Sequence, residues 1–179
     1  QFSVPLVEGS HLYAGDNRGT FYGVDIKTGK KIWSYRTLGP VHSKPAVDTT
    51  LVFFGDAKGT IYALNREHGG KIWAAQLDGA ILAAPLWHDG KVYFVTSSKK
   101  LAAFDAATGK ELWQTFSLGE DVGFTAYGSS DPILLEHQIW VGFSDGTLVA
   151  FSEHSGNIGH VLQLGNINQE MHDIDATAV

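Results

Sequence analysis

One block of about forty residues is written four times along this chain, and a fixed period of that length constrains the fold more than any other feature. The copies read GTFYGVDIKTGKKIW (19–33), GTIYALNREHGGKIW (59–73), KLAAFDAATGKELW (100–113) and GTLVAFSEHSGNIGH (146–160). Pro5, Pro45, Pro85 and Pro132 stand at steps of 40, 40 and 47, and Gly29, Gly69, Gly109 and Gly156 keep the same steps. Gly15, Gly55 and Gly142 follow the same rhythm, with Val95 in the third place. Each copy is rich in Gly, aromatics and β-branched residues. It therefore reads as one small antiparallel sheet that cannot bury both of its faces alone. The expected fold is all-β, a β-propeller of four-stranded blades.

The second copy shows how one blade is built. The run 42–47 is extended but carries Pro45, which cannot donate to a ladder and suits a strand start or edge. Strands are expected over 51–55, 60–64 and 71–75, joined by tight turns at 56–59 and 66–70. Repeating this reading places blades at about 1–40, 41–80, 81–127 and 128–172, all in one array, with 173–179 opening a further blade. Trp33, Trp73 and Trp113 hold one repeat position together with the turn glycines Gly29, Gly69, Gly109 and Gly156. An indole that recurs in this way is expected to wedge between neighbouring sheets. His160 takes the fourth tryptophan's place, which points to a weaker seam or a local departure from the pattern.

Composition removes several function classes. A formal charge of −6 argues against a nucleic-acid partner, which needs a basic patch. There is no cysteine, so disulfides and thiolate-bound metals are excluded. No apolar run is long enough to form a membrane helix. The first residue is Gln1, which reads as a chain whose leader has been removed, or as a fragment. The eight histidines show no His-x-x-x-His pair and no carboxylate at ligand spacing, so no metal site is expected. His68 and His154 read as solvent-facing turn residues, and His172 beside Asp173 as a structural neighbour. No Gly-x-Ser-x-Gly, Walker or dinucleotide motif is present, and no catalytic residues are expected.

The element Asp-x-x-Thr-Gly-Lys-x-x-Trp, seen after Val24 from Asp25 to Trp33 and again at Asp105, Thr108, Gly109, Lys110 and Trp113, resembles the repeat of eight-bladed PQQ-like propellers. Two departures from strict repetition resemble one branch of them, the outer-membrane barrel assembly factor B (BamB) family. A connection lengthened by seven residues precedes Pro132, and an Asp-x-Asp run stands at 173–175. The resemblance implies a non-catalytic periplasmic scaffold, held to the outer membrane as a lipoprotein, that docks to POTRA domains of the barrel-forming protein. It places partner contacts on Phe124, Ala126, Tyr127, Asp173 and Asp175, although family members tend to carry an Arg where Tyr127 stands. It implies no cofactor. Unfolded outer-membrane clients would be further partners, met by β-augmentation. Four blades are half of an eight-bladed ring, which two copies could complete head-to-tail. The alternatives are a ligand-binding or sensory propeller domain of a larger protein, or a fragment of a PQQ-dependent dehydrogenase. The dehydrogenase reading is disfavoured by the missing vicinal cysteines.

Overall fold

The computed structural model describes residues 3–115 and 128–164. These form four antiparallel sheets of four strands, each built from strands consecutive in sequence. Blade 1 holds β1 (Leu6–Glu8), β2 (His11–Gly15), β3 (Thr20–Asp25) and β4 (Lys31–Arg36). Blade 2 holds β5 (Ala46–Val47), β6 (Leu51–Gly55), β7 (Thr60–Asn65) and β8 (Lys71–Gln76). Blade 3 holds β9 (Leu86–His88), β10 (Lys91–Val95), β11 (Leu101–Asp105) and β12 (Glu111–Gln114). Blade 4 holds β13 (Ile133–Leu135), β14 (Gln138–Gly142), β15 (Thr147–Ser152) and β16 (Ile158–Gln163). The chain is thus an all-β propeller array of four blades. The extended run expected over 42–47 pairs only at Ala46 and Val47, because Pro45 has no N–H to give the ladder.

The middle strands of blades 2 and 3 are apolar on both sides because both of their faces are covered. Phe54 packs towards blade 1, with Tyr13, Phe21 and Trp33, whereas its neighbour Phe53 packs towards blade 3, with Phe94 and Phe104. Tyr93 and Phe94 divide in the same way, Tyr93 joining Val141 and Phe151 in the seam with blade 4. Alternation along a strand therefore sends successive side chains into different seams. The seams are closely filled: the rings of Phe21 and Phe54 stack with centroids 3.7 Å apart.

The repeated tryptophan locks each seam in the same way. Trp33, Trp73 and Trp113 lean from the outermost strands onto the β3–β4-type turn of the following blade, under Gly69, Gly109 and Gly156. A Cβ on Gly69 would come within 2.6 Å of the Trp33 ring, and one on Gly109 within 2.5 Å of Trp73. Each indole N–H also donates to a main-chain carbonyl of that next turn. Trp33 reaches Arg66 at 3.0 Å, Trp73 reaches Ala106 at 2.8 Å and Trp113 reaches Glu153 at 3.3 Å. An aromatic of this size buries roughly 150–250 Å². At about 25 cal/mol per Å² that is an upper bound of roughly 4–6 kcal/mol per seam, before the entropy of ordering is subtracted. His160 departs from the pattern locally: it is exposed and stacks on Trp140 of its own sheet, with ring centroids 6.0 Å apart.

These glycines serve two purposes that can be separated. Gly29 and Gly69 hold the same turn position with φ of +67° and +72°, but nothing lies within 4 Å of a Cβ built on Gly29. Gly29→Ala should therefore cost only the left-handed strain, about 1–2 kcal/mol. Gly69→Ala should cost about 1–3 kcal/mol more, because the Trp33 ring has to move. Urea unfolding of the two variants measures the difference, and equal losses would contradict the interlock.

Candidate functional site

The blades place their loops on two opposite rims. One rim carries the β2–β3-type turns and the connections that cross from one blade to the next. Here an Asp-x-x-Gly-Thr turn does most of the fastening. Asp56, fully buried, accepts from the N–H groups of Lys58 and Thr60 through Oδ1. Its Oδ2 accepts from the Tyr62 hydroxyl at 2.9 Å and from the N–H of Gly39, in the preceding connection, at 2.9 Å. Tyr62 in turn accepts from the N–H of Leu38. Asp16 repeats the pattern with Arg18, Thr20 and Tyr22. Burial pushes the Asp16 carboxyl up, but the hydrogen bonds from Thr20, Tyr22 and Arg18, with the Arg18 charge, outweigh it and hold the group below its usual range. In blade 3, Thr96 replaces the Asp and Lys99, at φ +57°, replaces the Gly. Lys99 instead pairs with Asp145 of blade 4, at 2.5 Å, and so ties the two turns together.

This rim is where the long connection between blades 3 and 4 starts and ends. Thr115 is fastened to Leu101, donating its N–H to the Leu101 carbonyl and accepting the Leu101 N–H on Oγ. At the other end, Gly128 accepts from the N–H of Ser144, Ser130 accepts from Gly142, and Asp131 accepts from Ala84 of blade 3 at 2.6 Å. The expected contact residues Phe124, Ala126 and Tyr127 lie between these anchors, outside the described residues. Asp173 and Asp175 also lie outside them, as does the run 173–179 expected to open a further blade.

The opposite rim carries the β1–β2-type and β3–β4-type turns. Most are closed by their own side chains, as where Asp25 Oδ1 accepts from the N–H and hydroxyl of Thr28, and Asp105 likewise from Thr108. Blade 4 differs. His137 Nδ1 lies 2.8 Å from Glu153 Oε1, and His154 Nε2 lies 3.5 Å from the same oxygen. The spacing of histidines along the chain gives no sign of this cluster, because β14 and β15 separate its first two members. The repeat alignment holds the available signal. The N–H of Glu153 donates to the His137 carbonyl, as the N–H of Ala106 does to Gly90 and that of Arg66 to Thr50. Glu153 and His137 thus stand where blade 3 has Ala106 and Gly90.

A family model described as outer membrane protein assembly factor BamB matches residues 2–69 and 39–179, and so spans nearly the whole chain. The chain belongs to this family. A comparison with curated proteins found no match. Among solved structures, BamB from Moraxella catarrhalis is 21% identical over 89% of this chain and 62% of its own, with a TM-score of 0.53. Quinohemoprotein alcohol dehydrogenase from Comamonas testosteroni is 17% identical over 98% of this chain and 36% of its own, at 0.78. A computationally designed protein, Ika8, is 18% identical over 91% of this chain and 49% of its own, at 0.76. The chain spans less than two thirds of the length of each. At such identities these structures show the shared propeller fold, which an assembly factor and a dehydrogenase both use.

The fastening of the loop rim has an alkaline signature. Burial, and then the bond to Asp56, favour the neutral phenol of Tyr62 and push it up to about 12 from 10.0. The unfolded chain ionises this group first. Its contribution is therefore whole below pH 10 and is lost as pH rises through about 12. A spectrophotometric titration should show two late phenolates, Tyr62 and Tyr93, of which Tyr62→Phe removes one. An unchanged trace in that variant would contradict the arrangement.

Proposed function

We propose that this chain is a non-catalytic docking scaffold of the outer-membrane β-barrel assembly machinery. On this reading it sits in the periplasm, tethered to the outer membrane in the full-length protein, and holds the POTRA domains of the barrel-forming protein against its loop rim. The observation that carries the reading is membership of the BamB family across nearly all of the chain. The structure supports it physically, since binding residues collect on loops held by a rigid frame. The lengthened connection is fastened to blades 3 and 4 on both sides, through Thr115, Ser130 and Asp131. In this proposal Phe124 and Tyr127 act as aromatic anchors beside Ala126, of the kind that dominates interfaces. Asp173 and Asp175 pair with cationic side chains of the partner.

A second contribution to the same role comes from the outer strands. β4, β8 and β12 are sheet edges, and each presents an exposed aliphatic residue at one repeat position: Ile32, Ile72 and Leu112. Such edges offer an unfolded barrel protein both main-chain hydrogen bonds and apolar contact. The stack of exposed His160 on half-buried Trp140 leaves blade 4 a different outer surface.

Titration of the chain against purified POTRA domains tests the proposal. The expected result is saturable binding that the Asp173→Ala, Asp175→Ala double variant weakens at least tenfold, about 1.4 kcal/mol. Absence of binding by a chain shown by circular dichroism to be folded would overturn the docking role. Unchanged binding by the double variant would remove the acidic pair from the interface.

A further inference from the structure

On the rim opposite the proposed docking loops, one carboxylate is built into the fold without a full set of partners. Glu153 is only 4% exposed, and its Oε2 is buried with no hydrogen-bond partner. A desolvated, unpaired carboxylate oxygen is costly and calls for a cationic or hydrogen-bonding partner. The main chain leaves this residue little freedom. Its N–H donates to the His137 carbonyl at 3.1 Å, and its carbonyl accepts from the Trp113 indole at 3.3 Å and the Tyr93 hydroxyl at 3.4 Å. Glu153 is thus pinned at the seam of blades 3 and 4, with its carboxylate turned to two exposed imidazoles.

The two histidines complete a ligand set. One ring nitrogen of each histidine and a Glu153 carboxylate oxygen all lie within 4.8 Å of one another, and the two rings stack with centroids 5.9 Å apart. Tetrahedral ligands about 2.0–2.2 Å from a zinc ion sit roughly 3.3–3.6 Å apart, so small side-chain rotations close the set. The backbone shows a second departure at this place. His137 has φ +63° and follows Glu136 at φ +49°, in a two-residue turn where blade 3 has Asp89 and Gly90. Asp-Gly or Asn-Gly is the natural choice for such a turn. Here the glycine's place is given to an imidazole, at a cost in strain, and that imidazole meets the buried carboxylate.

We propose that His137, Glu153 and His154 bind one divalent first-row cation of the zinc class. Two imidazoles and one carboxylate suit zinc, nickel or copper better than calcium or magnesium, which take oxygen-rich shells. The ion takes up the carboxylate charge that the fold leaves half-satisfied. Three protein ligands leave a fourth position open to water or to a donor from a bound partner. The hydrogen bonds to the Glu153 main chain serve as the supporting shell that fixes a ligand's direction. The site lies on the rim away from the docking loops, so it stands whether or not the docking role does.

The test is isothermal titration of tag-free chain with zinc chloride, paired with thermal unfolding at each zinc concentration. The expected result is one ion per chain and a melting temperature that rises with zinc. His137→Gly keeps the turn's backbone, and His154→Ala alters an exposed side chain. Each should weaken binding at least tenfold while circular dichroism stays unchanged. His68→Ala, in the corresponding turn of blade 2, should bind like the parent. No binding by the parent chain would overturn the proposal. So would binding that survives both variants, or binding that His68→Ala weakens as much as they do.

Discussion

The rest of this structure depends on an indole seated beneath a glycine of the next blade. A four-stranded sheet with two apolar faces is not a stable object, and each seam must supply what its two sheets lack. The tryptophan does so directionally: it leaves the outermost strand of one blade and enters a turn of the next, where its N–H meets a carbonyl. The contact is heterologous, so it sets an order and a spacing along the array. A positive-φ glycine is needed twice over, for the turn and for the close approach of the ring. Because the lock is the same in each seam, the turns of successive blades fall into line and make two separate rims.

Those rims are fastened differently and are free to vary in different ways. On the loop rim, Asp16, Asp56 and the Lys99–Asp145 pair bind the crossing connections to the turns, so side-chain identity there serves the frame. On the other rim the frame asks only for a carbonyl to receive the indole N–H. Arg66, Ala106 and Glu153 meet that need equally, with side chains of opposite charge or none. Arg66 uses its freedom to bond Asp48 and lie over Tyr13, and Glu153 uses it to face two histidines. Chemistry can thus be added at one repeat position without disturbing the seam.

The parts of this structure legible in the sequence were those written more than once. The period, the four-stranded blades and the place of Trp33, Trp73 and Trp113 all followed from repetition. In blade 2 the innermost strand is shorter than the extended run 42–47, because such a run shows where a strand can form and not how much of it finds a partner beside Pro45. The His137, Glu153 and His154 cluster was missed for a different reason. Its members meet across a hairpin, so linear spacing separates what the antiparallel register brings together. Only alignment of the repeats shows a glutamate where its neighbours have Arg66 and Ala106. The proposed docking residues Phe124, Ala126, Tyr127, Asp173 and Asp175 came from the family resemblance, since a singular loop has no second copy to be compared with.

The docking role rests on the claim that the loop rim, and not the turn rim, meets the partner. Hydrogen–deuterium exchange of the chain with and without POTRA domains reads this directly. The account predicts slowed exchange in peptides spanning 116–132 and in the crossing connections at 37–45 and 77–85, with the turns at 25–30, 65–70 and 152–157 unchanged. Slowing confined to those turns, or none at a saturating concentration of partner, would contradict it.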